Sequence, residues 1–307
     1  MHVISFPENN ITRYIPDNLS ECDPQQYIDI CELIFKYQCQ KITYQELLTH
    51  SVYKLMNMKV AKNNPKTTPP DSNKEVNIIL IQELIEASFF NIKEDGTFEI
   101  ILNYIDNPIP FFKPLWQTYY GPTNGFMNIK FGEYTDALRL FLEFNTTGEI
   151  KLLYDLAATL YRKKNRFHFI LKNRDNYDGD CRRKYNQHHL ESRAKTFQYA
   201  PLGFIYGIYL YFASFQKFVS SAEVPWGDKT LNLSILFESN NEVSEIEASD
   251  IGLDSVLFAM AETGAFGDFE KVQNTPFWTI MIRMYDSKIN NLKQEKLQEN
   301  ANSQSPS

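Results

Sequence analysis

His188 and His189 stand side by side, with Cys181 and His168 upstream, and imidazole with thiolate is a donor set that zinc takes. Neighbouring side chains on a helix point about 100° apart, so an adjacent pair rarely closes on one ion. The run RDNYDGDCRRKY, Arg174 to Tyr185, has the look of a calcium loop. Setting Gly179 at the loop's sixth position puts Arg174 at the first and Tyr185 at the twelfth, where carboxylates are required; the run is expected to be a turn. Glu133 and Asp136 form an i, i+3 carboxylate pair of the kind that acid–base chemistry uses. They are also what the first turn of a helix favours for its dipole, and that reading takes precedence. The sequence has no P-loop, dinucleotide glycine fingerprint, nucleophile elbow or metalloprotease helix. An active site assembled from scattered residues leaves no such local pattern. The expectation is a non-enzymatic protein with no catalytic residue, no metal and no cofactor.

Charge is arranged in blocks. From Arg162 to Lys195 there are eleven bases against four acids, and from Thr230 to Glu270 nine acids and no base, in a chain whose formal charge is −7. Blocks of this size set potentials of several kT and steer association. The bases Arg162, Lys163, Lys164, Arg166, Arg182, Arg183, Lys184, Arg193 and Lys195 are the candidate partner-binding residues. Phe167, Phe169, Tyr177 and Tyr185 interleave with them, a pattern that phosphate contact with base stacking also uses. Three partners fit: an acidic protein, the acidic block of the same or a neighbouring chain, and nucleic acid. A merely solvated face is the bland alternative. Whole-chain acidity favours the protein partner over nucleic acid.

These residues need a frame, and the composition describes a helical one. Of 307 residues 43% are hydrophobic, with 23 Phe and 18 Tyr but only 12 Gly, which favours long helices over a turn-rich β sandwich. Asp23 and Pro24 suit the cap and first turn of a helix carrying Tyr27, Ile28, Cys31, Ile34 and Phe35 on one face. Thr43 and Glu46 are spaced as a capping box for a second helix. VNIILIQELIEASFF is a third, and Asp95-Gly96 after it favours the tight turn of a β-hairpin. Prolines 108, 110 and 114 break an aromatic loop holding Phe111, Phe112, Trp116, Tyr119 and Tyr120. It is read as folded onto the core, with an exposed docking surface as the alternative.

Two central helices follow, one with Tyr134, Leu138, Phe141 and Leu142 on its face, the next with Ile150, Leu153, Leu156, Ala157 and Leu160. The second is expected to end in Arg162–Lys164, cations that suit a helix C-terminus. Pro201 opens a helix apolar nearly all round and therefore central. Its apolar run, Leu202 to Phe215, is 14 residues, short of the roughly 18 to 20 of a membrane span. Asp250 and Gly264 bracket a further helix, and Thr275-Pro276 opens the last. The N-terminus lacks a signal-peptide pattern. The four cysteines match no zinc spacing and are expected to be free thiols.

The fold class is thus mainly α: a multi-helix bundle-like core with a small β-hairpin near residues 89–105. Expected units are a helical hairpin at 1–61, a linker or loop at 62–75, a central helical domain at 76–225, a C-terminal helical segment at 226–295 and a disordered tail at 296–307.

The succession LAATLYRKK, GDCRRKYN and ESRAKTFQYAPLGFIYGIYLYF resembles proteins encoded in tailed-phage and prophage structural modules, and the helical tail assembly chaperones found beside tape-measure genes. The matching positions are Leu160, Tyr161, Arg162, Gly179, Asp180, Tyr185, Glu191, Ala194, Phe197, Pro201 and Phe212, then Ala261, Glu262, Gly264, Phe266 and Gly267. Lys163 stands where a proline is expected. The similarity covers about half the chain, from Phe131 to Trp278. It implies a helical, non-enzymatic tail-assembly protein, chaperone-like toward another tail component, or alternatively a structural head–tail or tail component. A nucleic-acid-binding accessory protein using 162–195 is the other alternative. The implied place is the host-cell cytoplasm or the virion, with a tail component or another copy of the chain as partner and no membrane.

Overall fold

A computed structural model of the chain describes residues 1–6, 11–58, 72–94, 98–114, 116–174, 177, 179–221, 223–226, 229–236 and 268–303. The fold is mainly helical with small antiparallel sheets, as the apolar periodicities predict. Helix α1 (Pro24–Gln38) opens on Asp23, whose carboxylate accepts from the backbone N–H groups of Gln25 and Gln26. Helix α2 (Tyr44–Leu55) opens on the Thr43–Glu46 capping box. Each box satisfies donors that a helix N-terminus otherwise leaves unpaired. Helix α3 (Ser72–Phe89) packs on α2, and it begins inside the segment 62–75 expected as a linker.

The predicted hairpin forms from β3 (Phe90–Ile92) and β4 (Phe98–Ile100), Phe90 opposite Ile100. Its Asp95-Gly96 turn lies outside the described residues. The first fifteen residues, included in the helical hairpin expected at 1–61, instead carry a strand pair, β1 (His2–Phe6) antiparallel with β2 (Ile11–Ile15).

Two features of the central region depart from expectation. The proline-rich loop contributes strands β5 (Phe111–Phe112) and β6 (Tyr119–Tyr120), because prolines 110 and 114 flank the paired residues instead of interrupting them. Helices α4 (Phe131–Thr147) and α5 (Ile150–Leu160) form as predicted, but α5 stops at Leu160. Tyr161 is extended, and Arg162–Lys163 form strand β7, pairing with β6 so that Tyr120 faces Arg162 and Tyr119 faces Lys163. Arg162 and Lys163 are therefore strand residues and not a helix end. Leu142 and Ile150, expected on inward faces, are exposed.

A short helix α6 (His168–Leu171) and helix α7 (Leu190–Phe197) lead to α8 (Leu202–Ser221). Helix α8 is the axis of the core, and α1 lies across it. Gly203 and Gly207, four residues apart on one face, permit that approach. A Cβ on Gly203 would lie 1.9 Å from the Ile28 carbonyl oxygen, and one on Gly207 would lie 2.7 Å from the Tyr27 ring. Tyr27 is buried at this crossing, its hydroxyl donating to the Gly207 carbonyl at 2.8 Å and paired with the Tyr104 hydroxyl at 2.8 Å.

One cluster of buried apolar side chains runs from Ile15 to Met281. Strands β8 (Glu223–Trp226) and β9 (Lys229–Asn232) follow α8 as a hairpin. Most of the acidic block, with the helix expected between Asp250 and Gly264, lies outside the described residues. Helix Phe269–Asn274 packs on α4, and the last helix, opened after Thr275-Pro276, runs Phe277–Ser303. The helix thus continues past 296, where a disordered tail was expected. No helix among the described residues is long and apolar enough to cross a membrane.

All four thiols are free: Cys22 and Cys31 are buried, Cys181 is half-buried and Cys39 is exposed. Burial pushes the Cys22 thiol up to about 12 and raises Cys31 and Cys181. Thiolate is the reacting form. Titrating the native protein with a chromogenic disulfide reagent should therefore give one fast equivalent, from Cys39, and four after unfolding. Fast reaction of Cys22 or Cys31 in the native protein would contradict their burial.

Candidate functional site

The basic stretch divides into an inside and an outside. Arg162 and Arg182 are only 2% exposed, so they leave the predicted binding surface; a guanidinium held in the interior cannot meet a partner. Lys163 and Arg193 are half-buried. Lys164, Arg166, Lys172, Arg174, Arg183, Lys184 and Lys195 are exposed. Strand alternation accounts for the start of this division, since successive residues of β7 face opposite ways.

The interior part is an ion-pair cluster gathered from four segments. Glu133, in the first turn of α4, is fully buried and accepts from both arginines: from Arg162 Nη2 at 2.9 Å and from Arg182 Nη1 at 3.0 Å. Asp180 accepts from Arg182 Nε at 2.9 Å and from Arg162 Nη2 at 3.2 Å. Arg182 also donates to the Leu160 and Asn128 carbonyl oxygens, at 2.7 and 3.0 Å. Asn128 Nδ2 in turn donates to Asp180 Oδ1 at 3.3 Å. The start of α4 is itself fixed, since the Phe131 N–H donates to the Thr275 carbonyl and the Phe277 N–H to the Ile129 carbonyl.

Two guanidinium groups thus meet two carboxylates, which is the balance that a buried charge cluster requires. Burial and the nearby Arg182 push the Arg162 guanidinium down to about 10, so it keeps its proton at neutral pH. For Arg182 burial acts in the same direction, but Glu133 and Asp180 outweigh it and the guanidinium is held above its ordinary value. The Arg162 guanidinium lies over the Tyr185 ring, 5.6 Å from its centroid. Its Nε and Nη1 are buried without a hydrogen-bond acceptor among the described residues. Tyr185 is fixed by its hydroxyl, which donates to Asp136 at 2.5 Å, and it carries Arg193 as well, at 5.9 Å. Arg193 donates from Nε to the Ala158 carbonyl oxygen at 3.0 Å.

The dipole explanation of Glu133 and Asp136 is therefore incomplete: Glu133 is the acceptor at the centre of the cluster, and Asp136 orients Tyr185. No local spacing marks Glu133, although a carboxylate between Phe131 and Tyr134, both core residues, is the signal that was open to reading.

The exposed part surrounds α6. Phe167, Phe169 and Ile170 are 58%, 65% and 46% exposed, with Arg166 and Lys164 before them and Lys172 and Arg174 after. The neck of this excursion is a short two-stranded contact: Lys164 bridges Arg182, the Asn165 N–H donates to the Cys181 carbonyl at 2.8 Å, and the Arg183 N–H donates to the Lys163 carbonyl at 2.9 Å.

No protein-family model matches the chain, and neither curated proteins nor solved structures match it.

Of the residues considered for metal chemistry, His188 and His189 are exposed, and His168 Nδ1 lies 3.2 Å from the Tyr177 hydroxyl. No group of three or more His, Cys, Asp or Glu among the described residues is placed to hold an ion. In the proline-flanked loop Tyr119 is buried while Trp116 and Phe111 are 95% and 57% exposed, so part of that loop folds inward and part faces solvent. An open recess of about 430 Å³ lies at the α1–α2 turn, lined by Tyr37, Lys41 and Glu46 among others. Glu46 there is already taken up by its capping box.

Proposed function

We propose that this chain is a non-enzymatic phage or prophage tail-assembly protein that holds another tail component, in the manner of an assembly chaperone, through the exposed loop between Lys163 and Lys184. The observation that carries the reading is the composition of that loop surface. Phe167, Phe169 and Ile170 stand out from the fold among Lys164, Arg166, Lys172, Arg174, Arg183 and Lys184. An apolar centre with a charged rim is how a protein interface is commonly built, the centre supplying affinity and the rim steering approach. The helical frame agrees with what the phage-module resemblance implies, and the setting proposed with it is the cytoplasm of the infected cell. The alternative within the same setting is a structural component that stays in the particle, and mass spectrometry of purified particles separates the two.

The partner expected at this surface is acidic. A peptide with the sequence of residues 238–254 of this chain, which has six acids and no base, serves as a probe. In about 150 mM salt it should bind the wild-type protein at least tenfold more tightly than the K164E/R166E/R183E/K184E variant, with affinity falling as salt rises. The interleaved Phe167 and Phe169 also suit base stacking, so oligodeoxythymidylate is the comparison. Binding to the oligonucleotide tenfold above the peptide replaces the protein partner with nucleic acid, and binding to neither removes the loop from consideration.

A further inference from the structure

We propose that Arg182 is a positioning residue: the clasp that holds the 163–184 loop in the shape its exposed bases need, without itself touching a partner. Among the described residues from Lys163 to Lys184, Arg182 is the one buried side chain. The described part of the loop therefore has no core of its own, and a surface excursion without buried apolar contacts is held by its polar anchors. The outgoing end is secured by β7, which is part of the three-stranded sheet. The returning end is held by the two backbone hydrogen bonds of the neck, by Asp180, which accepts from Arg162 and Asn128, and by the Arg182 guanidinium. That group enters the interior and meets three parts of the frame at once: Glu133 of α4, the carbonyl oxygen at the end of α5 and the carbonyl oxygen of Asn128.

A planar fork of five donors can satisfy acceptors in several directions, whereas an ammonium on a flexible stem is a single point. Glu133 accepts from Arg162 as well. Removing Arg182 therefore leaves Glu133 with Arg162, while the returning end of the loop keeps Asp180 and loses its contacts to Glu133, Leu160 and Asn128.

The positioning role rests on the proposed function, but the clasp can be measured apart from it. Trypsin cleavage after Lys164, Arg166, Lys172 and Arg174 reports loop opening, far-ultraviolet circular dichroism reports the frame, and the 238–254 peptide reports binding. In R182K and R182M, cleavage at those four sites should rise at least tenfold with the helical signal retained, and peptide affinity should fall at least fivefold. Unchanged cleavage overturns the proposal, and so does faster cleavage with unchanged affinity. If the wild-type protein does not bind the peptide, the docking reading has failed, and the cleavage rates alone decide the clasp. Should the Arg182 variants lose their helical signal, D180N takes their place: it keeps Arg182 and neutralises its Nε partner. It should show an intermediate rise in cleavage, and no rise overturns the proposal.

Discussion

Glu133→Ala should lower the free energy of unfolding by about 3–5 kcal/mol, the cost typical of removing one partner from a buried ion pair. The Glu133 side chain is fully enclosed and accepts from both Arg162 and Arg182. Without it, two buried guanidinium groups share Asp180 alone, and water does not reach them to make up the difference. Urea denaturation followed by circular dichroism reads the loss as a lower midpoint. The cause can be isolated, because it lies in orphaned charge and not in lost contact area. Replacing the four charged groups together, as E133L/R162M/D180N/R182M, should recover part of what E133A alone loses, since a cluster of similar volume without charge leaves none unpaired. A loss below about 1 kcal/mol for E133A, the range of exposed pairs, would mean that the cluster is not held as a closed unit.

Gly203→Ala carries the second large effect, with a sign opposite to helix propensity. In an open helix the change would gain up to about 1 kcal/mol. Here the new methyl would stand 1.9 Å from the Ile28 carbonyl oxygen, a backbone atom that cannot rotate aside. Helix α1 must move away from α8, loosening the Tyr27 contacts to Gly207 and Tyr104. Overpacking of a filled core costs about 1–3 kcal/mol and sometimes more, so a net loss of roughly 2 kcal/mol is expected as a lower melting temperature. Ser220→Ala, exposed near the far end of the same helix, should stay within about 0.5 kcal/mol. If G203A melts like S220A, the close crossing of α1 and α8 is not present in solution.

The frame was legible wherever the signal is local. Asp23-Pro24, Thr43 with Glu46, and Pro201 mark their helices because caps and first turns are chosen by neighbouring residues. The β3–β4 arms were legible for the same reason. The cluster was not, because Glu133 and Arg182 are 49 residues apart and only the completed fold brings them together. Counting charge along the chain gives Arg162 and Lys164 equal weight, although one is interior and the other exposed. Leu142 and Ile150 show the converse error: helical spacing assigns a face, but the second half of α4 and the start of α5 leave them in solvent. Trp116, exposed beside inward-facing Tyr119, shows that proline spacing alone does not say which aromatic residues of a loop are buried.

The contact of α1 with α8 also constrains the order of events during synthesis. Tyr27 and its acceptor Gly207 are 180 residues apart, so at about 5–20 residues per second the ribosome needs roughly 9–36 s to supply the second after the first. Throughout that interval the apolar faces of α1 and α2 have emerged without the helix that covers them. The N-terminal quarter of the protein thus waits unfinished on the nascent chain, dependent on α3 and its own pairing for cover, and the native crossing closes only when most of the polypeptide has been made.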